Sequence, residues 1–442
     1  MKAMRLNVVA ASLAAYFSFG SIVAHAAPGD LDTAFGAGGI AMTTVQNTSE
    51  AYAMTVDGKG RTLVVGNSTN TDLVLSAMTL TRYLPDGTPD TTFGDSATGI
   101  VTITPPSGLS AEAALIGVRI DTRNRIVAGG FAELPTPFGS QRVFTVVRLN
   151  EAGQLDSSFG ENGFVETIIA PGESASSATS IAIDASDRIV AAGITLDASA
   201  EGTPVVVRIN EDGGLDHVFG TTGIVATPFT GFGNGAVGAM LDHSGSIVLA
   251  GIYQDTVTFA QGTFVSRYLD DGSMDDTFGD SGTESLDAIQ ANAITLDASD
   301  RIVIAGMTAD TSGLTIERLT SDGHVDTAFG PDGSGIVTSP VGDDSGSSFA
   351  DAVTIDSTGR IIAVGTSFPL DLASSDIVVA RYTADGLPDS SFGSGGVATF
   401  PSSSYSGATS VVTDASDSIL LTGYSYDDVA GGYAFTTLRL QH

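Results

Sequence analysis

Cysteine and tryptophan are absent from the 442 residues, and basic side chains are scarce: 18 Lys and Arg stand against 51 Asp and Glu, a formal net charge of −33. Without cysteine there is no disulfide framework, no thiolate metal site and no lipid anchor of the kind built on a processed cysteine. The charge balance excludes a nucleic-acid partner, which needs a basic surface to displace counterions from phosphates. No free basic patch remains for acidic lipid or phosphate surfaces either. Charged residues are only 16% of the chain and apolar ones 42%, enough for a packed core, so the acidity does not imply disorder.

Long apolar runs are also missing, with one exception. Lys2 and Arg5 precede an apolar stretch from Val8 to Val23, which ends in Ala24-His25-Ala26. That order of charge, short apolar run and small-residue site predicts a signal peptide over residues 1–26 and a mature chain from Ala27. The run is too short for a membrane span. The expected location is therefore secreted, periplasmic or on the surface of a bacterial cell.

The remainder is one unit written seven times. Phe-Gly recurs at Phe35, Phe93, Phe159, Phe219, Phe278, Phe329 and Phe392, each with an Asp three residues earlier, from Asp32 to Asp389. A second Asp closes an apolar alternation (Asp57, Asp121, Asp184, Asp242, Asp297, Asp356, Asp414), and a Gly follows it nine residues on in every unit. An Arg ends a further β-branched run: Arg82, Arg148, Arg208, Arg267, Arg318, Arg381 and Arg439. Each unit holds four short strand-like runs; in the third they are Ser180–Ile183, Ile189–Ala192, Val205–Ile209 and Gly223–Ala226. Asp-Gly pairs such as Asp212-Gly213 and Asp271-Gly272 supply tight turns. Seven four-stranded antiparallel units, none able to bury both faces alone, predict an all-β chain: a single seven-bladed β-propeller over 27–442. Runs this short argue against an outer-membrane barrel. Gly282-Thr283-Glu284 departs from the usual Gly-Ile-Val, which weakens the outer strand expected there.

The chain opens on an Asp-x-x-Phe-Gly segment without a preceding third strand and ends at Leu438-Arg439-Leu440 without a following fourth. The two ends complement each other, so Gly39–Thr43 is expected beside Ala434–Leu438, closing the ring. Each third-strand Arg is expected to pair with the Asp eight residues on, and the closure adds Arg439 with Asp32.

The pattern Asp-x-x-x-(Arg)-Ile-Val-x-Ala-Gly, then Val-Val-x-Arg-Leu, then Asp-Gly-x-Leu-Asp-x-x-Phe-Gly resembles the delta-60 repeat of exported bacterial proteins, over essentially all of 27–442. More distantly it resembles NHL-type propeller blades. The resemblance implies the propeller fold and export, and carries no activity.

Two of the four connections in each unit are fixed in length. The other two vary, from 12 to 18 and from 19 to 28 residues between anchors. Fixed turns read as scaffold, and the variable loops share the opposite end, where binding resides on rigid folds. Aromatic candidates there are Phe138, Tyr253, Phe259, Phe368, Tyr405, Tyr424, Tyr426 and Tyr433. Carboxylate candidates are Glu112, Glu173, Asp197, Glu201, Asp255, Asp343, Asp344, Asp371, Asp427 and Asp428. Of the histidines, His217, His243 and His324 fall in fixed turns and His442 is terminal, so no Ser-His-Asp set or zinc site converges. Acidic clusters such as Asp184-Ala185-Ser186-Asp187, Asp297-Ala298-Ser299-Asp300 and Gly342-Asp343-Asp344-Ser345-Gly346 suit Ca²⁺ as hard oxygen ligands, but turn chemistry accounts for the first two. These observations predict a monomeric, non-catalytic module with no cofactor and no assignable catalytic residue, binding a protein or an extracellular polymer. The alternative is a carboxylate-dependent hydrolase or lyase at the mouth of the channel.

Overall fold

A computed structural model describes residues 27–442 except 71–74, 107–111, 137–138, 171, 228–234, 255–260, 309–312, 342–344, 371–373 and 403. Phe138, Phe259, Asp255, Asp343, Asp344 and Asp371 therefore lie outside the described residues. Among those described, all regular structure is β: 28 strands, arranged as five four-stranded sheets and one of eight. The eight-stranded sheet is two four-stranded units joined by a single parallel bridge, Ala175 to Arg142. Within every unit neighbouring strands pair antiparallel, and in all units but the last they follow chain order. The third unit, for example, runs Ala175–Ile183, Ile189–Leu196, Gly202–Ile209 and Ile224–Ala226.

Strands are longer than their apolar runs. The first three of that unit have 9, 8 and 8 residues, and Ile126–Thr136, Gly139–Leu149 and Ser345–Ile355 reach 11. The extensions carry Ser, Thr and Tyr, which alternate too weakly in polarity to be read as strand. Much of what the sequence presents as variable loop is thus hairpin. Strand length, used above against a barrel, loses its force; the division into separate four-stranded units takes its place. Thr283–Leu286 does form an outer strand, pairing with Thr263–Ser266 despite its Glu.

Ile40–Thr43 pairs antiparallel with Phe435–Leu438, so the outermost strand of the last sheet comes from the chain's beginning. Backbone bonds Asp32 N to Arg439 O and Gly29 N to Gln441 O continue the contact.

The Gly nine residues after each first-strand Asp has a steric cause. Every first strand carries a β-bulge, such as that between Ala178 and Ser180, and the bulge presses a carbonyl against the neighbouring Gly. A Cβ on Gly193 would lie 1.9 Å from the Ser177 oxygen, and on Gly423 1.9 Å from that of Gly407. Gly193→Ala is therefore expected to cost about 3 kcal/mol in a denaturant titration, as overpacking against backbone. Gly58→Ala, with nothing within 4 Å of the new Cβ, serves as the control and should change little.

Candidate functional site

At the fixed-turn end the charged residues are consumed by scaffold. Arg148 Nε donates to Asp156 Oδ2 at 2.9 Å, its guanidinium lies 4.4 Å from the Phe159 ring centroid, and Nη1 donates to the Glu211 carbonyl of the next unit. The Asp pair and the ring contact recur in all seven units, including Arg439 with Asp32 (2.5 Å) and Phe35, and the bond to the next unit's carbonyl recurs in six, Arg381 Nη1 having no partner among the described residues. The repeat's Arg, Asp and Phe are thus one device, and the Phe-Gly turn docks on the following unit: Gly160 N donates to Asp212 O. A second set, unforeseen from sequence, joins the first-strand Asp to the Arg four residues on, as in Asp184 to Arg188 at 2.5 Å. The acidic clusters here are turns. Asp184 Oδ1 accepts from the Ser186 and Arg188 backbone N–H groups, and Asp297 Oδ1 from those of Ser299 and Arg301. His217, His243, His324 and His442 are exposed, with His243 Nδ1 2.6 Å from Asp300. No group of three or more His, Asp or Glu among the described residues could hold a metal ion.

At the opposite end the predicted carboxylates divide. Glu173 is buried and accepts from Thr195 Oγ1 (2.8 Å), Ser176 Oγ and two backbone N–H groups, so it fastens its own hairpin. Asp197 and Asp427 cap local turns. Glu112 is ion-paired to Arg142, which covers the Phe131 ring. Glu201 and Asp428 are exposed. Tyr253 donates to Asp287, and Phe368 packs on Phe349. Apart from that of Asp197 with Glu201, which share one turn through the Glu201 N–H bond to Asp197 Oδ1, none of these contacts joins two of the candidates.

The tyrosines of the last unit come together. Tyr433 meets Tyr424 and Tyr426 edge-on, with centroids 5.5 and 5.6 Å apart, and the backbone of Tyr426 bonds to that of Tyr405. Tyr405 and Tyr426 are 40% and 38% exposed. Three of the four stand on strand extensions and only Tyr405 lies outside them, so the platform is rigid.

This platform continues into residues that the sequence reading missed. The extra residue of each first-strand bulge lines one central cavity of about 360 Å³: Tyr52, Ile116, Thr179, Val237, Asn292, Asp351 and Thr409. Several of them stitch neighbouring units. Thr179, Asn292 and Thr409 side chains donate to the Ala236, Ala350 and Ala51 carbonyls at 2.8, 2.9 and 2.8 Å. Thr366 Oγ1 donates to Asp351 Oδ2 at 3.2 Å and is also hydrogen-bonded to Tyr424. A side chain at Gly407 would collide with both Thr366 Oγ1 and the Tyr424 hydroxyl, at 2.6 and 2.9 Å, which explains that glycine. Tyr52 donates to Glu50 Oε2 at 2.8 Å.

Burial pushes the Asp351 carboxyl up to about 7, against a weaker opposing effect of its Thr366 hydrogen bond. Burial and the nearby Asp351, Tyr433 and Glu50 charges raise the Tyr424 phenol, and burial with Glu50 raises that of Tyr52. Both phenols therefore stay protonated at neutral pH. Tyr52 and Asp351 thus line the cavity beside Glu50, Thr366 and Tyr424, a set of phenols, hydroxyl and carboxyls linked by hydrogen bonds.

Four segments, 60–93, 124–159, 185–219 and 357–392, match the family described as Domain of unknown function (DUF5122) beta-propeller. Among solved structures, polysaccharide lyase Uly1 is 10% identical, over 88% of this chain and 89% of that one, with a TM-score of 0.50. A protein of unknown function from Dyadobacter fermentans is 9% identical over 91% and 98% of the two chains (TM-score 0.43). The β-propeller domain of the Trilobed protease from Pyrococcus furiosus is 9% identical over 90% and 97% (TM-score 0.44). Among curated proteins none matches. Among the described residues no helix is long and apolar enough to cross a membrane. The family matches, the likeness of fold to the lyase and the separate four-stranded sheets make this chain an all-β protein of β-propeller repeats.

Proposed function

We propose that the chain is an exported, monomeric propeller of seven four-stranded blades, of the delta-60 repeat type, that binds an extracellular polysaccharide at its variable end without transforming it. Residues 1–26 are the removed signal, and 27–442 form a ring closed by Ile40–Thr43. The blade count is supported by the division of 28 strands into seven fours and by seven bulges on one cavity. The observation that carries the function is the tyrosine platform leading into that cavity. Exposed, rigidly mounted aromatic faces stack on sugar rings, and the phenols and carboxylates beside them hydrogen-bond to hydroxyls. A protein partner is the other occupant of this surface.

The platform can be tested with affinity electrophoresis and calorimetry on a panel of neutral, amino-sugar and acidic polysaccharides. Tyr405→Ala/Tyr426→Ala should weaken capture about tenfold or more, each aromatic contact contributing about 1 kcal/mol. Capture of no polysaccharide by the unaltered protein would remove this reading.

One observation favours the second reading, a carboxylate-dependent hydrolase or lyase. A carboxyl near 7, as at Asp351, can exchange a proton at neutral pH. Binding ranks first because the neighbouring phenols are held protonated and supply no base. Turnover of glycoside or uronide substrates that disappears in Asp351→Asn would reverse the order.

A further inference from the structure

Of the 16 basic side chains beyond Arg5, 15 lie within 4.0 Å of a carboxylate. The exception is Arg119. In a chain with almost three acids for every base, the one unpaired cation stands in the wall of the central cavity. Its only hydrogen bond among the described residues goes from Nη1 to the carbonyl of its own neighbour, Val118, at 2.8 Å. A guanidinium has five N–H donors, so most of its capacity is unspent, and the side chain is half-buried with burial working against its charge.

Two hydroxyls on the same cavity are in a similar condition. Ser180 Oγ accepts the Ala239 N–H and Ser410 Oγ the Met54 N–H, both at 3.2 Å. Each hydroxyl is thereby used as an acceptor while its proton remains available. Thr179 and Thr409 differ, since their hydroxyls already donate to carbonyls. The cavity thus holds one guanidinium with a single acceptor and two hydroxyls whose protons are not donated, and among the described residues Asp351 is the only carboxylate lining it.

We propose that the central channel is a binding site for a small oxyanion, a carboxylate or phosphate group, with Arg119 as its counter-charge and Ser180 and Ser410 as auxiliary donors. The acidic exterior does not oppose this. At physiological ionic strength charges are screened over about 8 Å, and within the narrow channel the nearest fixed charge dominates. A planar guanidinium also suits both carboxylate and phosphate, which it grips with paired N–H groups. The volume of about 360 Å³ admits a molecule of sugar-acid or sugar-phosphate size but no polymer.

Isothermal titration at low salt with inorganic phosphate, acetate, glucuronate and glucose 1-phosphate tests the proposal, and the phosphate and carboxylate arms separate the two ligand sources. At least one probe should bind to the unaltered protein, with affinity falling at least tenfold in Arg119→Gln and persisting in Arg119→Lys. Arg123→Gln, whose partner Glu211 is at the fixed-turn end, should bind as the unaltered protein does. Tyr405→Ala/Tyr426→Ala should leave anion binding intact, which separates this site from the polysaccharide surface. Melting curves establish that each variant is folded; should Arg119→Gln not fold, binding that chloride competes away both in the unaltered protein and in Arg119→Lys is the expected substitute result, and binding indifferent to chloride would overturn the proposal. No uptake of any probe at millimolar concentration, or equal affinity in a folded Arg119→Gln, would overturn the proposal.

Discussion

Arg148→Ala is expected to destabilise the protein by about 3–5 kcal/mol, the range for removing one partner of a buried ion pair. The arginine side chain is 2% exposed, and three groups depend on it. Asp156 loses the Nε donor at 2.9 Å, the Phe159 face loses its cation, and the Glu211 carbonyl of the next unit loses a donor. Burial would raise the Asp156 carboxyl, but hydrogen bonds from Ser158 and the Arg148 charge outweigh it and hold the group below its ordinary 3.8. A lowered native value means that this stabilisation is present above the unfolded value and lost as pH falls through the native one. The deficit of the variant should accordingly be full at pH 7 and shrink below about pH 4. Lys59→Ala removes an ion pair too, with Glu151, but its side chain is 64% exposed, and a surface pair of this kind contributes 0–1 kcal/mol. Denaturant titrations of the two variants at pH 7 compare the cases directly. Equal small losses would mean that the repeated Arg–Asp–Phe device does not hold the units together.

The device also explains how much could be read from sequence. Asp, Arg, Phe and Gly at fixed spacings are each held in place by a specific contact, so a change of residue breaks something and the pattern repeats seven times. That is why the unit and the Arg439–Asp32 contact were legible. The cavity was not, because the bulge residue that lines it varies in type from unit to unit: Tyr52, Ile116, Asn292 and Asp351 occupy equivalent positions. A signal for it did exist. The bulge residue lies five before the first-strand Asp, between small neighbours, as in Ala51-Tyr52-Ala53, Ala291-Asn292-Ala293 and Ala350-Asp351-Ala352. Small residues flank it because the strands crowd together around the axis. Arg119 carried a second signal: with Lys59, Arg123 and Arg142 it stands outside the repeated basic positions, and of these four it alone lacks a carboxylate. Two of the candidate carboxylates that are described have a local use. Asp197 and Asp427 sit where hairpins turn, and a short acid at a turn is used by its own backbone.

Glu317→Gln is expected to stabilise the protein, and only above neutral pH. Glu317 is 4% exposed, Oε2 has no hydrogen-bond partner, and the equivalent positions hold Thr81, Val147, Val207, Ser266, Ala380 and Leu438. Nothing in the structure explains an acid there. Burial, reinforced by the nearby Glu284, pushes its carboxyl from 4.5 up to about 7. With the native value raised, the native state holds a proton that the unfolded chain releases, so stability falls as pH rises from about 4.5 through 7 and levels off beyond. At 1.36 kcal/mol per pK unit the full penalty is roughly 3 kcal/mol. The amide keeps the shape and carries no charge to desolvate. Melting curves of Glu317→Gln should therefore coincide with those of the parent at pH 4 and lie clearly higher at pH 8. The dependence is opposite in sign to that of the Arg148–Asp156 pair, so the two variants measured across the same pH range act as controls for each other. A Glu317→Gln protein no more stable than its parent at pH 8 would mean that water or a rearranged neighbour already solvates this carboxylate.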